Sequence, residues 1–390
     1  MSEDVKESSF MLYLQHIALA IYLSATAMAL VIERPNIYIY TNIVGLVVFL
    51  ISTRLNTIKN ISYVNILGAF ICCGLFAISS VSIEKSAGQE VIKTYFQFYV
   101  IAGIGSLLVS SYSYDFETFI KAFILLGLIF APKIVTTNYS TLEYEVDNDE
   151  WMSKVYAIMP YIIASLYYLF EGEKKLFKVL SVVCILSYST MVILHTPRGA
   201  IVAMFLSFIV FLYQKATNKG VNILIILIVI LLIVVLLYVF WNLIFNWLQT
   251  VADDRQLRWL QKFVDTDDIS NNRSSLYSDA INGFVSKPLF GHGIASFHDY
   301  ERYPHNLFLE MMYETGILML IPMAVYIFIA ISIILRCDNK IDVDYRIITF
   351  LFLNSFVQLM FSSFFWRNTC FWMLIWIMMR IIHSKLQKEN

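Results

Sequence analysis

Residues 304–335 read PHNLFLEMMYETGILMLIPMAVYIFIAISIIL, and this stretch decides how the whole chain is understood. From Asn306 onward it is an apolar run long enough to cross a bilayer, which takes about 20 residues. It follows a polar interval that begins at Arg273 and carries Arg273, His292, His298, Asp299, Arg302 and His305. Gly316 stands eleven residues past His305. Eleven residues are about three helical turns, which places His305 and Gly316 on one helix stripe. The spacing predicts a titratable imidazole at the mouth of a membrane helix, with a close-packing glycine deeper on the same face. Chemistry is expected here, in a cavity that the rest of the chain builds.

Composition supports the membrane reading. Of 390 residues, 59% are hydrophobic and only 15% are charged, against about 25% charged in soluble domains. A formal net charge of −1 provides no broad basic surface, so nucleic acid is not an expected partner. The five cysteines, Cys72, Cys73, Cys184, Cys337 and Cys370, lie within or at the ends of apolar runs without metal-ligand spacing. They are expected to be reduced core residues. The opening MSEDVKESSF is too acidic for a secretory n-region, so the first apolar run is expected to be an uncleaved span.

The hydropathy pattern predicts an all-α, polytopic membrane protein of about twelve spans, forming one membrane domain over 1–390. The spans fall near 10–32, 37–53, 61–83, 91–111, 116–134, 154–170, 176–194, 198–214, 221–248, 306–335, 346–365 and 368–384. Two connections are long: an acidic one at 135–153, and a large one at 249–305, before the tenth span. With the N-terminus inside, the cytoplasmic loops and tail hold twelve lysines and arginines, and the short outer loops hold six. The positive-inside rule therefore puts both termini in the cytoplasm and both long loops in the periplasm. Within the larger loop, 251–268 is expected to be a short amphipathic helix, with Trp259, Leu260 and Phe263 on the membrane surface. Ser274–Val285 is expected to be a second helix, and PLFGHGIASF a glycine-punctuated turn.

Four arginines sit on the outer side against the charge bias: Arg198, Arg273, Arg302 and Arg367. Guanidinium beside a membrane is costly unless paired, and its fork suits phosphate. Arg198, in TPRGA, starts an apolar run, with Gly199 allowing close approach; an arginine snorkelling to the interface fits the same pattern. Arg302 could pair with Asp299 or Glu301. Among the histidines, His16 and His383 read as structural, His292 as a turn residue and His195 as a cavity neighbour of Arg198. His305 alone combines a helix mouth, a polar Asn306 and the stripe ending in Gly316. Asp253-Asp254 and Asp267-Asp268 read as solvated acid, so no metal and no cofactor are expected.

These residues resemble the superfamily of O-antigen polymerases and O-antigen ligases. Its signature of His, a small polar residue, nine residues and Gly is met by His305, Asn306 and Gly316. Its Arg-Gly-Ala at an outer helix start is met by Arg198, Gly199 and Ala200. Its arginine upstream of Pro-Leu-Phe-Gly-His-Gly is met by Arg273 and residues 288–293. The sequence departs from the family pattern at Pro197, where a serine is common, and at Met319.

The resemblance implies inverting, metal-independent glycosyl transfer from an undecaprenyl-diphosphate-linked oligosaccharide at the periplasmic face of the bacterial inner membrane. His305 would be the base, and Arg198, Arg273 and Arg302 would hold the diphosphate. The positive end of the helix opening at His305 would add to that grip. Asn306, Gly316, His195, Tyr277, Arg367 and Glu310 would line or support the cavity. A second lipid-linked repeat unit would be the acceptor for a polymerase, and lipid A–core for a ligase. Membrane lipid and a chain-length regulator are further implied partners. The polymerase is favoured by a chain rich in Ile, Phe, Tyr and Asn. A transporter or flippase is the rival from another class, but it predicts two homologous halves and ionisable groups at mid-membrane; here the charges crowd one face.

Overall fold

The computed structural model describes residues 9–32, 37–80, 95–136, 148–195, 198–218, 246, 273–294, 296–297, 304–338, 341, 343–361 and 364–389. Among these residues the chain is helical and has no strand. The expected span at 221–248, apart from residue 246, the surface helix at 251–268 and most of the acidic connection lie outside them.

The helices are α1 (Ser9–Leu23), α2 (Ala25–Ile32), α3 (Ile37–Ser52), the single turn α4 (Asn56–Lys59), α5 (Tyr63–Ser80) and a π-helical stretch (Gln97–Gly105) running into α6 (Ser106–Ser110). Next come α7 (Phe116–Thr136), α8 (Asn148–Glu171), α9 (Lys175–His195), α10 (Arg198–Asn218) and α11 (Arg273–Ser286). The chain closes with α12 (Leu307–Arg336), α13 (Tyr345–Phe361), a 3-10 turn (Phe365–Arg367) and α14 (Thr369–Glu389). Among the described residues three helices, in α10, α12 and α14, are long and apolar enough to cross a membrane, and several shorter apolar helices accompany them. The chain is an all-α membrane protein.

Close backbone approach holds the bundle together, as expected where lipid supplies no hydrophobic drive between helices. A Cβ on Gly45 would lie 2.9 Å from the Tyr22 backbone nitrogen, so α3 can lean on α1 only through a glycine. Gly127 does the same for α7 against Tyr161 of α8 and Cys184 of α9. Buried polar tips find carbonyls: Tyr22 Oη donates to Ile101 O (2.6 Å), Tyr188 Oη to Gly127 O (2.6 Å) and Trp376 Nε1 to Gly103 O (3.0 Å). Cys72, Cys184, Cys337 and Cys370 are buried, and none of the five cysteines is in a disulfide.

The two ends of the bundle differ. At one, Asn218 donates to Tyr345 Oη (2.9 Å), Tyr213 to Leu335 O (2.7 Å) and Lys215 to Phe170 O (2.8 Å), tying α10, α13, α12 and α8 together. Arg336, Arg346 and Lys385 share this end, where Lys385 meets Asp338 at 3.9 Å. The chain turns at the opposite end bring the candidate residues together.

Candidate active site at one rim of the bundle

Asn306 begins the local structure. Its backbone is extended (φ −149°, ψ 118°), and its Oδ1 accepts from Phe308 N (3.0 Å) and Leu309 N (3.2 Å), while Glu310 N donates to its carbonyl (2.9 Å). Asparagine is among the strongest N-caps because its side chain replaces the missing turn. His305 therefore stands outside α12, half-buried, with its Nδ1 shielded from solvent and its backbone left-handed at φ +48°. That conformation costs a non-glycine residue about 1–2 kcal/mol.

Two expectations change here. His305 and Gly316 do not share a continuous helical stripe, because Gly316 breaks the helix at φ +66°, ψ −170°. The helix positive end is also narrowed, since Asn306 caps two of the free amide groups there, Phe308 N and Leu309 N. Asn306→Ala should lower stability by about 1 kcal/mol, and Asn306→Asp should restore most of it, read by thermal unfolding in detergent.

The break at Gly316 is filled by the glycine-rich turn. Leaving the helical path strands the carbonyls of Tyr313 and Glu314 and the N–H groups of Ile317 and Leu318. His292 N donates to Tyr313 O (2.9 Å) and Gly293 N to Glu314 O (2.9 Å). Ile317 N donates to Pro288 O (2.8 Å), and Leu318 N approaches Leu289 O at 3.4 Å. Every orphaned group thus meets the turn. The contact is backbone on backbone. A Cβ at Gly291 would lie 2.5 Å from Thr315 N, and one at Gly316 would lie 2.5 Å from the Leu289 carbonyl carbon. His292 lies in the turn, as expected: its ring stacks on Tyr313 (4.5 Å) and its Nε2 lies 2.9 Å from Gly283 O. The two glycine motifs are halves of one joint, which also anchors α11 against α12.

The same rim gathers other residues. Glu310 and Glu314, one turn apart on α12, are 1% and 0% exposed. The Glu310 carboxyl lies within electrostatic reach of Glu314 and of the Arg367 guanidinium. Arg367 also lies over the Phe364 ring, 4.8 Å from its centroid. Phe356 meets Phe308 at 6.1 Å, so the end of α13 and the start of α12 are level. α10 begins at Arg198 on this end too, since a Cβ at Gly199 would overlap Phe361 and the Tyr156 hydroxyl.

The structure thus brings His305, Asn306, Glu310, Arg367 and the start of α10 to one rim. α11 begins at Arg273, carries half-buried Tyr277, and packs along α12 where Gly283 meets Tyr313. The side chains of Arg198, Arg273 and His195, and all of Arg302, lie outside the described residues. Sequence reasoning passed over Glu314, although its spacing of four from Glu310 puts both acids on one helix face.

Residues 179–324 match the family model described as O-antigen ligase. The matched stretch starts within α9, takes in Arg198 and α11, and ends just past the Gly316 break. It therefore contains both halves of the glycine joint and the His305 mouth. Over this stretch the chain is similar to O-antigen ligases, which supports the polymerase and ligase superfamily. A comparison with curated proteins found no match.

Proposed function

We propose that the chain is an O-antigen polymerase that joins undecaprenyl-diphosphate-linked repeat units at the periplasmic face of the inner membrane. The observation that carries this reading is the joint between the Gly291 turn and the Gly316 break. It joins separated parts of the family-matched region on α12, the helix whose start carries His305. His305 takes the proton from the acceptor sugar hydroxyl as its oxygen attacks C1 of the donor. The C1–O bond to the diphosphate breaks, and its electron pair leaves with the polyprenyl diphosphate. Arg198, Arg273 and Arg302 neutralise the charge that grows on that group. Attack from the face opposite the leaving group inverts the anomeric centre. Glu310 and Arg367 support this rim from α12 and from the 3-10 turn before α14. Both termini would be cytoplasmic, with the end carrying Arg336 and Lys385 facing inward.

The description of the matching family favours a second reading, transfer of a finished chain to lipid A–core. Loss of the gene separates the two on a lipopolysaccharide gel. A missing polymerase leaves core bearing a single repeat unit, whereas a missing ligase leaves bare core.

Arg198→Lys should reduce polymer by about 10- to 100-fold at unchanged protein level, because an ammonium cannot make the paired hydrogen bonds of a guanidinium. Chain-length distributions from a complemented deletion strain read this out. Wild-type ladders with lysine at 198 would remove Arg198 from the diphosphate site.

A further inference from the structure

The surface of α11 is divided into three faces. Ala280 is fully buried, and Gly283 lies against Tyr313, which makes one face the contact with α12. Ser275, Asp279, Asn282 and Ser286 form a second, exposed and polar face. The third is apolar and open: Ile281 is 47% and Val285 70% exposed, one turn apart, and Leu289 (55%) and Phe290 (38%) continue it into the turn. A helix surrounded by water has no use for this third face.

Its height relative to the membrane follows from the joint with α12. Past the break, α12 exposes Ile317, Leu318, Ile321, Val325, Phe328 and Leu335, the stripe of a lipid-facing helix. Ile317–Arg336 is twenty residues, which rise about 30 Å at 1.5 Å each and so equal the hydrocarbon thickness of a bilayer. Arg336 then lies at one boundary and Ile317 at the other. The hydrogen bonds from Ile317 and Leu318 to Pro288 and Leu289 fix the turn at that second boundary. The apolar face of α11 is continuous with the α12 stripe.

We infer that α11 and the Leu289–Phe290 turn lie in the membrane interface, with Ile281, Val285, Leu289 and Phe290 against the acyl chains of phospholipids in the leaflet at the site rim. The polar face of the helix points to water, and Lys287, exposed just past the helix end, can reach headgroups. This part of the expected large outer loop is thus a membrane-embedded collar around the rim. The inference requires nothing of the glycosyl-transfer reading and stands if that reading fails.

Nitroxide labelling of the full chain in phosphatidylethanolamine–phosphatidylglycerol vesicles tests it. Val285→Cys and Asn282→Cys are labelled in parallel, with Leu289→Cys as a second apolar probe and the parental chain as the blank. Collision with oxygen, which concentrates in the bilayer, is compared with collision with a water-soluble nickel chelate. The oxygen-to-nickel ratio should be severalfold higher at 285 and 289 than at 282. Equal nickel access at all three positions would put α11 in water and overturn the inference. Labels at 285 and 289 shielded from both reagents would mean that protein covers the face, and would overturn it equally. An oxygen-rich signal that appears only after undecaprenyl diphosphate is added would assign the face to the carrier lipid instead of bulk phospholipid.

Discussion

His305→Ala should cut polymer formation by at least about a hundredfold while protein abundance stays at the wild-type level. A positioned general base contributes about 10²–10⁴-fold, and alanine has no atom that can accept the proton. The fold should tolerate the change, because Asn306 and not His305 caps α12, and the imidazole is only half-buried. Alanine takes the left-handed region somewhat less readily than histidine, so protein abundance is read beside activity. His305→Asn sharpens the test: asparagine adopts the left-handed region readily but offers no base at neutral pH. If the asparagine variant still made long chains, residue 305 would serve the backbone path and not the chemistry. Immunoblots alongside lipopolysaccharide gels decide between these outcomes.

The sequence revealed much of the helical framework, because apolar run length depends mainly on local composition. The run at 306–335 is α12 to within a residue at either end, and Ser274–Val285 is α11. Hydropathy missed the break at Ser24, where Ser24 Oγ bonds back to Ala20 O at 2.5 Å and splits the first span into α1 and α2. It also missed the π-helical stretch at Gln97–Gly105. That stretch depends on a tertiary contact, with Gly103 O accepting from Trp376, more than 270 positions away. Gly316 shows the same limit at the site. Counting turns assumes an unbroken helix, and nothing local to Gly316 reveals that Pro288 and Leu289 stand ready to receive the freed N–H groups. Read separately, PLFGHG is a turn and Gly316 a packing residue. Their interlock is a long-range fact, and only the family resemblance hinted that the two belong together.

Gly316→Ala should be the most damaging of the glycine changes to the folded protein. At φ +66°, ψ −170°, the backbone occupies a region essentially reserved for glycine, and holding another residue there costs about 1–3 kcal/mol. The new Cβ would also lie 2.5 Å from the Leu289 carbonyl carbon and 2.7 Å from Phe290 N. Both are backbone atoms, held by hydrogen bonds, so relief means parting the turn from α12; overpacking of this kind adds roughly 1–3 kcal/mol. Together these terms approach the net stability of a typical domain, about 5–15 kcal/mol. Thermal unfolding in detergent should show a large drop in Tm and in folded yield, with polymer lost as a consequence. Gly291→Ala, at φ +69° against Glu314 and Thr315, should behave in the same way, since it strikes the same joint from the other side. Gly74→Ala is the control: it sits within α5 with nothing inside 4 Å, so it should be neutral or slightly stabilising through helix propensity. If Gly316→Ala matched the control, α12 would be able to run straight through residue 316. The turn would then have no orphaned groups to satisfy, and the rim would lose its stated reason for bringing the Gly291 turn and the His305 mouth together.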